Sequence, residues 1–270
     1  MNRNRLFSSP AAVLLLAAIG VPQPIQQPAL AANAKVLAAK VQLNSSSSTP
    51  GVAPVQSKPH GLSYGEWSAR FWQWAFSLPV DGHPLFDSAD CSAGQTGHVW
   101  FLGGTAVPFE ITPGVLLGRA TRTCTVPPGT ALFFPLVNNE CSTVPGDVLP
   151  GFGTTPAELQ ACAKFASSFI VPGTLSATLD GAAITGLRQY DVTSPLYAFG
   201  PMPANNELAF FGLPAPAGTT GTSVSDGIHL FLDPLSKGSH VLKFYAELDL
   251  APIGGPKFIQ DITYYLSVAH

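Results

Sequence analysis

The chain has 270 residues and a formal charge of −3, with only 11% charged residues against 46% hydrophobic ones. That length builds one full core, and the composition is too apolar for a disordered chain. With no basic patch, nucleic acid is not expected as a partner. Low charge with 26 glycines and 26 prolines suits a turn-rich β protein outside the cytosol better than a helical cytosolic one.

The N-terminus reads as a secretory leader. Arg3 and Arg5 supply its positive region, and Ala11 to Val21 an apolar run. That run is shorter than the roughly 20 residues needed to span a bilayer. Small-x-small sites end at Ala31 and Ala34, so residues 1–31 are assigned as leader, with Ala34 as the alternative end. No later stretch is apolar enough to span a membrane, which places the mature chain as secreted or periplasmic. Residues 32–59 contain Ser45-Ser46-Ser47-Ser48 and several prolines and read as a flexible tether. Residues 60–270 are then a single folded domain.

In chain order, the first predicted element is a helix opened by Ser63 and Glu66, which stand in the spacing of a capping box. Trp67, Phe71, Trp74 and Leu78 share its face, Trp72 lies about 100° away, and Pro79 stops it. Strands are expected at His98–Leu102, Thr121–Val126 and Thr130–Val137, the last ending in the polar group Asn138-Asn139-Glu140. A second capping box, Thr155-Pro156-Ala157-Glu158, opens a helix that carries Cys162. Asp180-Gly181 between apolar runs signals a hairpin. A long loop from Pro201 to Asp226 is followed by strands at Gly227–Leu232, His240–Leu248 and Phe258–Val268. Short strands separated by turns indicate an antiparallel β-sandwich, jelly-roll-like, with two short helices at one end.

Four cysteines in an exported chain imply two disulfides, and three pairings are open. Cys91–Cys124 and Cys141–Cys162 are favoured because each closes a short loop flanked by regular structure. No C-x-x-C pair supports zinc.

Candidate sites follow from residue chemistry. Gly61-Leu62-Ser63-Tyr64-Gly65 matches G-x-S-x-G, but no buried strand precedes it, and a helix-capping serine explains it without catalysis. The aromatic helix is either the plug of a core or a platform on which Trp72 and Trp74 stack a ligand. Asp81, Asp87 and Asp90 could offer oxygen ligands to calcium, although the EF-hand spacing is absent; no other cofactor is implied. If the disulfides draw Asn138, Asn139 and Glu140 toward that acidic loop, a polar pocket beside tryptophan results. Glu140 with Asp87 would then be the candidate acids of a glycan hydrolase. His229 and His240 are placed to pair across a hairpin, or to be ordinary strand histidines.

The segments Gly65 to Trp74, Asp90 to Gln95, Val99 to Gly104, Thr125 to Asn138 and Gln260 to Val268 resemble an uncharacterised family of exported bacterial proteins. The resemblance implies export and brings no activity, cofactor or catalytic residue. The leading expectation is an exported, non-catalytic domain that binds an extracellular or envelope polysaccharide. Its alternatives are a secreted glycan-directed hydrolase and a self-assembling structural protein.

Overall fold

The computed structural model describes residues 51–86, 91–106 and 109–269. The leader and most of the tether lie outside them, as do Asp87 and Asp90. The helices are α1 (Tyr64–Phe76), α2 (Pro156–Ser167) and α3 (Glu207–Phe210). The strands are β1 (Val99–Phe101), β2 (Phe109–Thr112), β3 (Val115–Val126), β4 (Ala131–Ser142), β5 (Ser176–Leu179), β6 (Ala182–Ala183), β7 (Asp191–Thr193), β8 (Tyr197–Phe199), β9 (Gly221–Leu232), β10 (Gly238–Asp249) and β11 (Lys257–Val268).

They form two sheets. One runs β1-β4-β9-β7, with β8 also on β9; the other runs β2-β3-β11-β10-β5-β6. The sheets pack face to face as a sandwich, with Phe134 of β4 stacked on Phe244 of β10 at 5.2 Å. The mainly β sandwich with two disulfides is therefore the architecture present. Most pairs are antiparallel, but β1–β4 and β3–β11 are parallel. A parallel pair needs a long connection, and everything between Val126 and Lys257 supplies it for β3 and β11.

Local chemistry accounts for the helix starts and the hairpin. Ser63 and Thr155 cap α1 and α2 through complete capping boxes with Glu66 and Glu158. Ser63 is thus a cap and not the nucleophile of an elbow. Asp180 (φ 52°) and Gly181 (φ 80°) both take left-handed backbone at the β5–β6 turn, as a tight two-residue hairpin link requires. Some elements differ from expectation. β4 continues through Asn138-Asn139-Glu140 to Ser142, β9 begins at Gly221 inside the expected loop, and α3 forms within that loop. The chain also packs before His60: Ala53 N donates to Phe231 O at 2.9 Å, and Val52 bridges to Leu232. Residues 51–59 of the expected tether are therefore part of the folded unit.

A bulge in β4 organises the rest. Pro135 pairs with His229, but Val137 pairs with Ile228, so Leu136 stands opposite no residue. One extra residue inverts the alternation of side chains beyond it. Before the bulge, Phe133 meets α1 through Tyr64 and Trp67, while Phe134 meets the other sheet. After it, Asn138, Glu140 and Ser142 share the α1 face, and Asn139 and Cys141 turn to the opposite face, where Cys141 is bridged to Cys162 of α2. The two helices consequently flank the five-stranded sheet on opposite faces and do not cluster at one end. Across from the bulge, Gly227 has φ +148°, and a Cβ there would stand 2.4 Å from Val137 O. Only glycine allows β9 this close.

Both favoured disulfides are present, Cys91–Cys124 and Cys141–Cys162, closing separations of 33 and 21 residues. Loop closure on this scale contributes about 3 kcal/mol per bridge. Replacing Cys141 and Cys162 together by Ala should lower the unfolding free energy in urea by about that amount. Unchanged stability would show that the bridge to α2 is not structural.

Candidate functional site

The inverted alternation of β4 leaves a cavity of about 140 Å³ at the bulge. Phe71 and Trp72 of α1 form one wall, the 135–138 segment a second, and Gly104, Thr105, Phe258 and Gln260 the remainder. The Gln260 amide acts like a neighbouring strand toward Thr105: its Oε1 accepts from Thr105 N (2.9 Å) and its Nε2 donates to Thr105 O (3.0 Å). Gly104 makes room for this, since a Cβ there would lie 2.2 Å from Gln260 Oε1. Behind it, Arg122 Nη1 donates to Gly103 O (3.2 Å), Gly104 O (3.0 Å) and Tyr264 Oη (3.0 Å), and Tyr264 Oη donates to Gly103 O at 2.8 Å. The wall is held by hydrogen bonds at nearly every step.

Against that background two donors stand out. Trp72 Nε1 and Asn138 Nδ2 are both buried and have no hydrogen-bond partner among the described residues, and both residues line this one cavity. A buried polar group left unsatisfied costs about 1–3 kcal/mol. Both nitrogens are closed to solvent, so neither is presented to the opening that their residues line.

The other residues singled out from sequence divide differently. Trp74 is 5% exposed and its Nε1 donates to Ala93 O at 3.1 Å, so it belongs to the core plug and not to a platform. Asn139 faces α2: its nitrogen donates to Ala163 O (3.0 Å) and its oxygen accepts from Ser167 N (3.2 Å) and Ser167 Oγ (2.6 Å). It ties the helix to β4 and does not reach the cavity, because the pleat sends it to the other face. Asp81 Oδ2 accepts from Asn205 Nδ2 at 2.9 Å, while Asp87 and Asp90 lie outside the described residues. Among the described residues no group of three or more His, Cys, Asp or Glu is arranged to hold a metal ion.

Glu140 is half-buried in a polar seam beneath α1. It accepts from Ser223 Oγ at 2.5 Å, and Tyr197 Oη donates to the same Ser223 at 3.1 Å. Burial, and next the nearby Asp147, push the Glu140 carboxyl well above the ordinary carboxylate range. Burial raises Asp147 too, against hydrogen bonds from Glu140 and Ser142 that lower it. Both shifts favour the protonated forms, and neither acid lines the cavity at the bulge.

The same seam contains a serine–histidine pair that sequence gave no sign of, since its members are 161 residues apart. Ser68 Oγ lies 3.0 Å from His229 Nε2 and 2.8 Å from Ser225 Oγ. His229 Nδ1 lies 3.0 Å from Gly227 O. A carbonyl only accepts, so Nδ1 carries the proton and Nε2 accepts from Ser68. Burial lowers the His229 pKa to about 4, so the ring is neutral. Both residues are 0% exposed; the pair fastens α1 to β9 and meets no substrate. His240 instead pairs with Asp180 at 2.7 Å. The two histidines do not meet, because β9 and β10 belong to different sheets.

A second cleft, of about 320 Å³, lies beside α2. Its charges are largely satisfied from within: Arg188 pairs with Asp191 at 3.4 Å, and Thr193 Oγ1 donates to Asp226 Oδ2 at 2.5 Å.

Fold and site together define a disulfide-bonded β-sandwich with a small aromatic-walled cavity at a strand bulge. No protein-family model matches the chain, and no curated protein matches it. Among solved structures, the solution structure of amebosin is similar at 12% identity and a TM-score of 0.16, over 58% of this chain and 99% of that chain. A likeness that slight carries no argument.

Glu207, at the start of α3, tests the buried-acid description. Burial, then Asp147, raise its pKa from 4.5 to about 7, so the fold favours the protonated form. Its contribution to stability is fully present below about pH 4.5 and is lost as pH rises through about 7. Glu207→Gln, which cannot ionise, should therefore gain on the native protein by about 3 kcal/mol between the two ends of that window. Urea unfolding at both ends measures it; a pH-independent difference would mean that Glu207 is solvated.

Proposed function

We propose that this is an exported, non-catalytic binding domain whose cavity at the β4 bulge takes one ring-sized unit of an extracellular or envelope polysaccharide. The observation that carries the reading is an open cleft lined by the aromatic residues Phe71, Trp72 and Phe258 together with the polar side chains of Thr105, Asn138 and Gln260. Sugars suit such a place: their oxygens accept hydrogen bonds, and their ring faces pack on aromatic carbon. The volume is below the few hundred Å³ that enclose a whole drug-sized ligand. A terminal or branching residue of a longer chain fits better than a free metabolite. The N-terminal leader signature and the two disulfides support an exported bacterial protein.

A hydrolase has less support, because Glu140 is half-buried and lines neither of the two cavities. A catalytic carboxyl must reach the scissile bond directly or through one water. For self-assembly no specific observation speaks.

Binding and stability should separate at this site. Asn138→Ala removes a donor that bonds to nothing in the free protein, so its melting temperature should stay level or rise. Trp72→Leu removes an aromatic ring from the cleft wall. Each should weaken binding of the polysaccharide by about tenfold, the worth of one polar or stacking contact. Tryptophan fluorescence titration with a panel of soluble glycans measures this. Loss of stability without change in binding would place both side chains in the core's own service.

A further inference from the structure

We infer that the cleft beside α2 binds a small zwitterion of the α-amino-acid type, with its ammonium on Asp226 and its carboxylate on Lys164 and Arg188. This site is separate from the cavity at the bulge and lies on the other face of the five-stranded sheet. Its volume of about 320 Å³ falls within the ~300–1,000 Å³ of small-ligand clefts. Thr193 of β7 and Asp226 of β9, directly opposed in the ladder, form the floor with Asp191. Lys164, Ser167 and Ser168, at the C-terminal end of α2, make one wall, and Arg188, just before β7, makes another.

Most polar groups of the cleft are already committed. Arg188 pairs with Asp191, Ser168 Oγ donates to Phe165 O at 2.6 Å, Ser167 Oγ donates to the Asn139 oxygen, and Thr193 Oγ1 donates to Asp226 Oδ2. Two opposite charges are left over. Asp226 is only 6% exposed, yet its second carboxylate oxygen accepts no hydrogen bond among the described residues, and it is not one of the unpartnered atoms closed to solvent. That oxygen therefore opens on the cleft its residue lines. Lys164 makes no ion pair among the described residues. The four charges act on one another: burial and then Asp226 raise the Asp191 pKa, while Arg188 and Lys164 lower it.

Ligand classes differ in what they do with these charges. A neutral sugar leaves both unpaired, and an enclosed carboxylate without a cation is costly. A simple anion meets Lys164 but also two carboxylates. A divalent cation such as calcium wants six to eight oxygens and here meets two fixed cations. A simple amine pairs with Asp226 and leaves Lys164 unused. A zwitterion matches both signs. Its ammonium gains the open oxygen of Asp226 and the partial negative charge at the C-terminus of α2. Its carboxylate accepts from Lys164 and from guanidinium N–H groups of Arg188, which has five donors.

The test titrates the disulfide-bonded full chain by calorimetry with alanine and with its two halves, ethylamine, which lacks the carboxylate, and propionate, which lacks the ammonium. Alanine should bind at least about tenfold more tightly than either half. Asp226→Asn should weaken alanine by about tenfold and abolish its advantage over propionate. Lys164→Gln should weaken alanine by about threefold or more and leave ethylamine unchanged. Lys164 is exposed on α2, so its variant keeps the fold and carries the test should Asp226→Asn fail to fold. Alanine binding no tighter than its halves would overturn the inference, and so would alanine binding that both variants retain, by placing it elsewhere. A folded protein that binds no alanine overturns it too. Calcium binding lost in Asp226→Asn, with no alanine binding, would make the cleft a metal site instead. None of these outcomes bears on the cavity at the bulge.

Discussion

One extra residue in β4 governs what this sandwich has to offer. Up to Pro135 the strand alternates between an aromatic face under α1 and an apolar face toward the second sheet. Leu136 stands opposite no residue of β9, and from there on the faces exchange. Without the bulge, Asn138 and Glu140 would point between the sheets, and Cys141 would point away from α2. With it, the polar residues gather beneath α1, the disulfide reaches Cys162, and the strand leaves its partner wall far enough to open a cavity. The close passage of Gly227 belongs to the same device, since any side chain there would collide with the bulged strand.

The polar seam explains how α1 can be so aromatic and still sit in one register. Tyr64, Phe71 and Trp74 supply burial, which is strong but non-directional. Ser68 supplies direction, through Ser225 and His229. Burial holds the acids Glu140, Asp147 and Glu207 toward the protonated form and His229 toward the unprotonated one. These preferences act oppositely with pH. The acids stabilise below their shifted values, and the histidine contributes above its unfolded value and loses this as pH falls toward about 4. The seam ties α1 to the sheet, and its Ser–His distance is no evidence of catalysis where both residues are closed to solvent.

How much of this was legible beforehand depended on range. The capping boxes at Ser63 and Thr155, the Asp180-Gly181 turn, the long strands and both disulfides are written in residues close together, and they appear as read. Asn138 and Trp72 both line the cavity at the bulge, and their polar and aromatic type marks them in the sequence. Trp74 and Asn139 were chosen on the same grounds and go elsewhere, Trp74 into the core and Asn139 onto α2. What separates the pairs is the bulge, and a bulge is a property of two strands. Leu136 looks like any other apolar residue in an apolar run until its partner strand is known. The strand's continuation past Asn138-Asn139-Glu140 was hidden for the same reason, because polar residues end a strand only when no polar face awaits them. The Ser68–His229 pair, far apart in sequence, had no local signature at all.

The opening beside the bulge has fixed walls. Gln260 clamps Thr105 at both ends, and Arg122 and Tyr264 together hold the Gly103 and Gly104 carbonyls. The backbone around the opening is therefore specified, and a group that entered it would meet surfaces already ordered, which lowers the entropic cost of binding. Trp72 Nε1 and Asn138 Nδ2 are unpartnered but closed to solvent, so they are a cost to the fold and not a feature of the surface. What lines the opening is aromatic carbon from Phe71, Trp72 and Phe258 beside the amide side chains of Asn138 and Gln260. Those walls come from α1, the bulged strand, the segment after β1 and β11, so the opening exists only where the bulge brings the four together.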